Sequence, residues 1–181
     1  MNVYAETNFV LEMALRQEQC QDCEAIVGLC EEQGINLIIP AYSLAEPYET
    51  LVRRHRYRRK LKNSLDTELS QLARTDFYLS DITKIQSLTS LLIESTEDEM
   101  NRLEDIRNCI IGVAEIIPLN SEILKSSAEH QKTHDLSPQD ALVYASVLYH
   151  LKKTESETGP WQSFCKMDTS HSSLISFRLS G

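Results

Sequence analysis

Two short apolar runs, Val3-Tyr4-Ala5 and Ile35-Asn36-Leu37-Ile38-Ile39, stand either side of one helical segment, and that order restricts the fold more than any other feature of the chain. The segment between them runs from Phe9 to about Glu32, with Phe9, Val10, Met13 and Ala14 at helical spacing and a break near Gln17 to Gln21. Gly34 is placed to end it as a left-handed cap, and Pro40 closes the second run. A strand, a helix and a second strand joined by so short a cap make a βαβ unit, whose strands run parallel. Helices wall in such a sheet, so ligands reach it at the carboxyl edge, where strand ends and helix amino termini converge. Glu6 stands at that edge, within the polar triplet Glu6-Thr7-Asn8 that opens the helix.

The pattern then changes to long helices. Leu51, Tyr57, Leu61, Leu65, Leu69 and Leu72 recur at helical spacing between about Ser43 and Ala73. Ile85, Leu88, Leu92, Ile93, Met100, Leu103 and Ile106 do the same between about Asp81 and Val113, so residues 43–113 read as a long helical hairpin. Glu115-Ile116-Ile117-Pro118-Leu119 is a third short strand, and Asn120 caps a helix running to about His134. Ser137-Pro138-Gln139-Asp140 opens another helix, with Ser as cap, Pro in the first turn and Asp at the third helical position. Trp161 to Cys165 reads as a fourth strand, and the segment with Leu174, Ile175 and Phe177 suits a short helix or an edge strand.

A length of 181 residues, 41 % hydrophobic content and only 5 Gly and 5 Pro argue one mostly helical domain with a sizeable core. No apolar run approaches the roughly 18 residues of a membrane span, and the amino terminus lacks the basic and apolar regions of a signal peptide. The expected location is therefore the cytoplasm. Cys20, Cys23 and Cys30 fall on one helix face, and without a second ligand pair they read as buried thiols rather than zinc ligands.

The net charge of -9 argues against a nucleic-acid partner, but its distribution does not. Residues 53–62 hold seven of the 18 basic side chains and no acid, which leaves -16 on the rest of the chain.

Four acids close strands or open helices: Glu6 after the first strand, Glu46 after the second, Asp140 at a helix start and Asp168 after the fourth strand. All belong at, or abutting, one edge of a parallel sheet. Carboxylates gathered without basic partners repel, so such a cluster persists with a divalent cation, and hard oxygen donors select Mg²⁺ or Mn²⁺. Each acid also has a local reading. Asp140 completes a Ser-x-x-Asp capping box, Asp168 suits a turn, and Glu6 suits a helix cap, although Thr7 or Asn8 would cap more readily. Glu46 has the same spacing from Ser43, but Pro47 disfavours helical backbone at Glu46 and suggests a helix that begins at Pro47.

The opening N-V-Y-A-E-T-N-F-V-L-E, the glutamate at the helix after strand two, the stretch L-S-P-Q-D-A-L-V-Y-A-S-V-L and the acid after the last core strand together resemble the PIN domain family. That family includes the toxin halves of many bacterial toxin–antitoxin pairs. The resemblance implies an α/β fold, a three-layer α/β/α sandwich with a central parallel sheet of about four to five strands, here a single PIN-like domain over residues 1–181. It implies a Mg²⁺- or Mn²⁺-dependent endoribonuclease that cleaves single-stranded RNA with metal-activated water. By position it makes Glu6, Glu46, Asp140 and Asp168 the catalytic and metal-binding acids, and Thr7 and Asn8 the residues that orient a ligand or phosphate oxygen. An antitoxin protein and a homodimer are further partners it implies.

Glu6 stands where the family usually has Asp, and Thr169-Ser170-His171-Ser172 after Asp168 lacks the acid and aromatic common there. These departures motivate a second reading, a catalytically degenerate PIN module that binds RNA or a protein partner without cleavage. A Rossmann-like enzyme for a phosphorylated small molecule is disfavoured, because no Gly-rich loop follows the first strand.

Arg53, Arg54, Arg56, Arg58, Arg59 and Lys60 form the basic run on the helix after Glu46, centred about 15 Å from it at 1.5 Å per residue. They suit RNA phosphates flanking a cut site, or pairing with Glu94, Glu97, Asp98, Glu99, Glu104 and Asp105 across the hairpin. His130 and His134 share a helix face with no evident third metal ligand.

Overall fold

In the computed structural model, which describes residues 1–75, 79–158, 163–167 and 174–177, with side chains over 1–75, 82, 85 and 87–154, the two apolar runs become strands. They are β1 (Asn2–Tyr4) and β2 (Asn36–Pro40), paired in parallel with Val3 opposite Leu37 and Tyr4 opposite Ile38. The segment between them divides at its expected break into α1 (Thr7–Leu15) and α2 (Cys20–Glu31). The left-handed residue after α2 is Gln33, at φ 60°, rather than Gly34. Gln33 donates to Cys30 O and Gly34 to Leu29 O, both at 2.9 Å, a Schellman end whose left-handed position falls one residue before the glycine.

The long hairpin is α3 (Ala41–Leu72) and α4 (Leu79–Val113), followed by β3 (Glu115–Ile117). Helices α5 (Ser121–His134) and α6 (Pro138–Thr158) lead to β4 (Ser163–Met167) and β5 (Leu174–Phe177). The strands are hydrogen-bonded in the order β3-β2-β1-β4-β5, with β5 antiparallel at the edge and the other pairs parallel. β1 lies at the centre, so its carboxyl end is flanked by those of β2 and β4. The last strand resolves the choice left open for residues 174–177.

Strand alternation divides the core. Val3, Ala5, Leu37 and Ile39 pack with α1, α2, Leu44 and Leu51 of α3, and Leu103 and Ile110 of α4. Tyr4 and Ile38, one residue out of phase, pack with Ile117, Ile123 of α5 and Ala145 and Val147 of α6. Cys20, Cys23 and Cys30 are all buried in the first cluster, and the Cys30 thiol donates to Val113 O at 3.1 Å.

The hairpin packs along a seven-residue repeat. On α4 the buried line is Ile82, Thr89, Thr96, Leu103 and Ile110; on α3 Leu44 and Leu51 are buried, with Arg58 and Leu65 partly so. Tyr57, expected on the apolar face, is instead 68 % exposed, and Leu88 is 63 % exposed. The seam contains two threonines and an arginine, so apolar periodicity alone places the wrong residues on it. Arg58 is accommodated because its guanidinium bonds both oxygens of Glu99 at 3.0 Å, Ser95 Oγ at 3.1 Å and Thr96 Oγ1 at 3.0 Å.

Pro47 does not begin a helix. It lies inside α3, which starts at Ala41, and its ring is fully buried; that apolar burial offsets the backbone hydrogen bond a proline cannot make. Glu46 is therefore within the helix, in its second turn. Among the described residues no helix is long and apolar enough to cross a membrane.

Candidate functional site

The sharp turn from β1 into α1 fixes the first acid. Glu6 is the N-cap residue in extended backbone, φ -126° and ψ -174°, and its carbonyl accepts from Phe9 N–H at 3.0 Å. Its side chain makes no capping bond although it is 8 % exposed. Asn8 Nδ2 donates to Glu6 Oε1 at 3.3 Å, an amide in the first turn of the helix that orients the carboxylate.

Thr7 reaches a second helix. Its buried hydroxyl donates to Glu46 Oε2 at 2.5 Å, joining the opening of α1 to the second turn of α3. Because Thr7 directly follows Glu6, this bond brings Glu46 to the same end of the sheet. Glu46 has no basic partner among the described residues, and Ser43 Oγ is buried with no partner there, so the Ser43–Glu46 capping pair does not form. Tyr42, one helical turn before Glu46, has its phenol pKa raised by burial, and further by Glu46 and Glu49.

Asp140 is exposed, and of the capping box anticipated for it the Ser137 cap forms, while its carboxylate meets the Ser137 hydroxyl. Ser137 Oγ accepts from Asp140 N–H at 3.1 Å and donates to Asp140 Oδ2 at 2.8 Å. No hydrogen bond joins Asp140 to Glu6 or Glu46 among the described residues, and among them no group of three or more His, Cys, Asp or Glu is arranged to hold a metal. Asp168 lies outside the described residues.

The donor chemistry nonetheless suits a hard cation. Two carboxylates, one held by a hydroxyl and one by an amide, offer oxygen donors at a strand end, and Mg²⁺ is commonly held by one or two carboxylates with water and substrate phosphate completing its shell. A shell built that way needs no third side chain before substrate arrives.

Of the basic run, Arg58 is committed to Glu99 inside the hairpin. Arg53, Arg54, Arg56, Arg59 and Lys60 have no carboxylate partner among the described residues, while Arg59 Nη2 lies 3.4 Å from His55 Nε2. His130 and His134 stack with ring centroids 5.5 Å apart and both meet the edge or face of Tyr144, at 5.0 and 5.8 Å.

Sequence reasoning overlooked Tyr42, which shares the electrostatic environment of Glu46, and the Tyr4–His150–Glu115 chain, in which Tyr4 and His150 are buried and Glu115 is exposed. Tyr4 Oη lies 2.8 Å from His150 Nδ1, and His150 Nε2 lies 3.1 Å from Glu115 Oε1. Pairs separated by 146 and 35 residues leave no local signal.

A family model described as PIN domain matches residues 3–159. No curated protein and no solved structure matches the chain.

Proposed function

Since the chain belongs to the PIN domain family, whose fold is of nuclease type, we propose that it is a divalent-metal-dependent ribonuclease acting on single-stranded RNA. The observation that carries this reading is the Thr7–Glu46 hydrogen bond, which ties the Glu46 carboxylate of α3 to the residue that follows Glu6 at the end of the central strand. Glu6 and Glu46 would hold Mg²⁺ or Mn²⁺, with Asp140 and Asp168 as the further acids the family resemblance assigns. Such an ion, when bound, lowers the pKa of water and stabilises the charge that builds in displacement at a phosphodiester. Asn8 and Thr7 orient the two carboxylates. Two core clusters on alternate strand residues favour the three-layer α/β/α arrangement for the domain.

A second reading rests on Asp140, whose carboxylate is engaged by its own helix cap. It is a PIN module that binds RNA or a protein without cleaving. Calorimetric titration with Mn²⁺, on the parent and on Glu6→Gln, Glu46→Gln and Asp140→Asn, followed by an RNA cleavage assay, separates the two. The nuclease reading expects binding weakened by the first two changes and cleavage that needs the ion. A folded parent that takes up no Mn²⁺ and cleaves no RNA selects the second reading.

A further inference from the structure

The seven-residue repeat that packs α3 has a counterpart on the helix's outer side. Leu44, Leu51 and Arg58 form the line toward α4; Glu46, Arg53 and Lys60, each two residues further on, lie about 200° round the helix at 100° per residue. Tyr57, eleven residues after Glu46, falls within about 20° of the same line. Arg53, Tyr57 and Lys60 thus follow the candidate metal-binding carboxylate at about 10, 16 and 21 Å along one face. All three are exposed, and with Tyr48, Glu49, Val52 and Arg56 they line one groove, in which three cations outnumber the single acid.

We propose that this face is the track along which a single-stranded RNA approaches the site, with Arg53, Arg56 and Lys60 meeting phosphates and Tyr57 stacking on a base. The inference rests on the nuclease reading for its direction, and on charge and composition for its occupant. Cations lacking carboxylate partners, on a chain that is otherwise strongly acidic, are complementary to a polyanion. An exposed tyrosine between them supplies the stacking surface that single strands use and duplexes bury. Arg58 is excluded because its donors are engaged by Glu99, Ser95 and Thr96.

The test is fluorescence anisotropy of a labelled single-stranded RNA with the full chain in chelator, so that binding is read without cleavage. Replacing Arg53, Arg56 and Lys60 together by Ala should weaken binding at least tenfold and reduce the log–log salt slope by about 2, at roughly 0.7 per phosphate contact. Tyr57→Ala should lose about tenfold, and Tyr57→Phe should bind as the parent does. A charge-matched control, Arg74, Lys125 and Lys132 to Ala, should bind within twofold of the parent. Unfolding curves matching the parent confirm that each variant is folded.

Equal affinity of the triple variant and the parent, equal losses in the control, or no RNA binding by the parent overturns the track. Tighter binding of polyglutamate than RNA through the same residues also overturns it and assigns the face to an acidic protein. Cleavage tells the two ideas apart: RNA bound on this face but never cut with Mg²⁺ or Mn²⁺ defeats the nuclease reading alone, and cutting indifferent to the triple change defeats the track alone.

Discussion

Thr7 Oγ1 donates to Glu46 Oε2 at 2.5 Å across 39 residues of sequence, so the loop that carries Glu6 also holds the second carboxylate. A hydrogen bond to a charged acceptor is stronger than a neutral one, and here it fixes the direction of a side chain with three rotatable bonds. Thr7→Val keeps the shape and removes the donor. Metal affinity or RNA cleavage should fall by about 10–100-fold, with Thr7→Ser close to the parent, as expected when an orienting partner of a ligand is lost. Calorimetry and a cleavage time course on both variants check this, and a Val variant equal to the parent would dismiss the orienting role.

Tyr42 reports on the same carboxylate. Burial raises its phenol pKa above the ordinary value, and the negative charges of Glu46 and Glu49 add to that. Above the ordinary value the unfolded chain releases this proton before the folded one, so the associated stability is intact below that pH and is lost as pH rises through the folded pKa. Glu46→Gln should bring the phenol part of the way down, since burial, the larger cause, remains. Phenolate absorbance across an alkaline titration, referenced to Tyr42→Phe, measures it; an unchanged midpoint would separate Tyr42 from Glu46.

Arg58 and Glu99 hold the hairpin, with side chains only 15 % and 11 % exposed. Removing one partner leaves the other poorly solvated, so Arg58→Met or Glu99→Leu alone should cost about 2–3 kcal/mol. The double variant should recover much of that, because two apolar side chains suit a seam. Urea unfolding of the three variants gives the coupling directly, and additive losses would refute it.

Tyr4→Phe removes a hydroxyl from the core and leaves His150 Nδ1 buried without that partner, at 6 % exposure for the histidine. A carboxylate only accepts, so His150 Nε2 carries the proton shared with Glu115, and the chain of bonds ties β1, α6 and β3 together. The expected loss is about 1–2 kcal/mol, with Mn²⁺ binding unchanged. A urea midpoint equal to the parent's would show that the hydroxyl contributes nothing net.

Local chemistry, written within a few residues, was legible from the chain itself. The βαβ order, the Asn120 cap on Ile123 N–H and the Ser137 cap on Asp140 N–H all stand as their short spacings implied. Even the misplacements were local competitions: Gln33 takes the left-handed position beside Gly34, and buried Pro47 sits within a helix rather than at its start. What reached across the chain was decided only by packing. Thr7 finds Glu46 because β1 and β2 pair in register and set α1 against α3, and Tyr57 faces out because Arg58, paired with Glu99, takes the seam. Sequence spacing encodes which residues share a helix face, but which face meets a neighbour depends on the summed burial and pairing of both partners, and that sum exists only once the chain has folded.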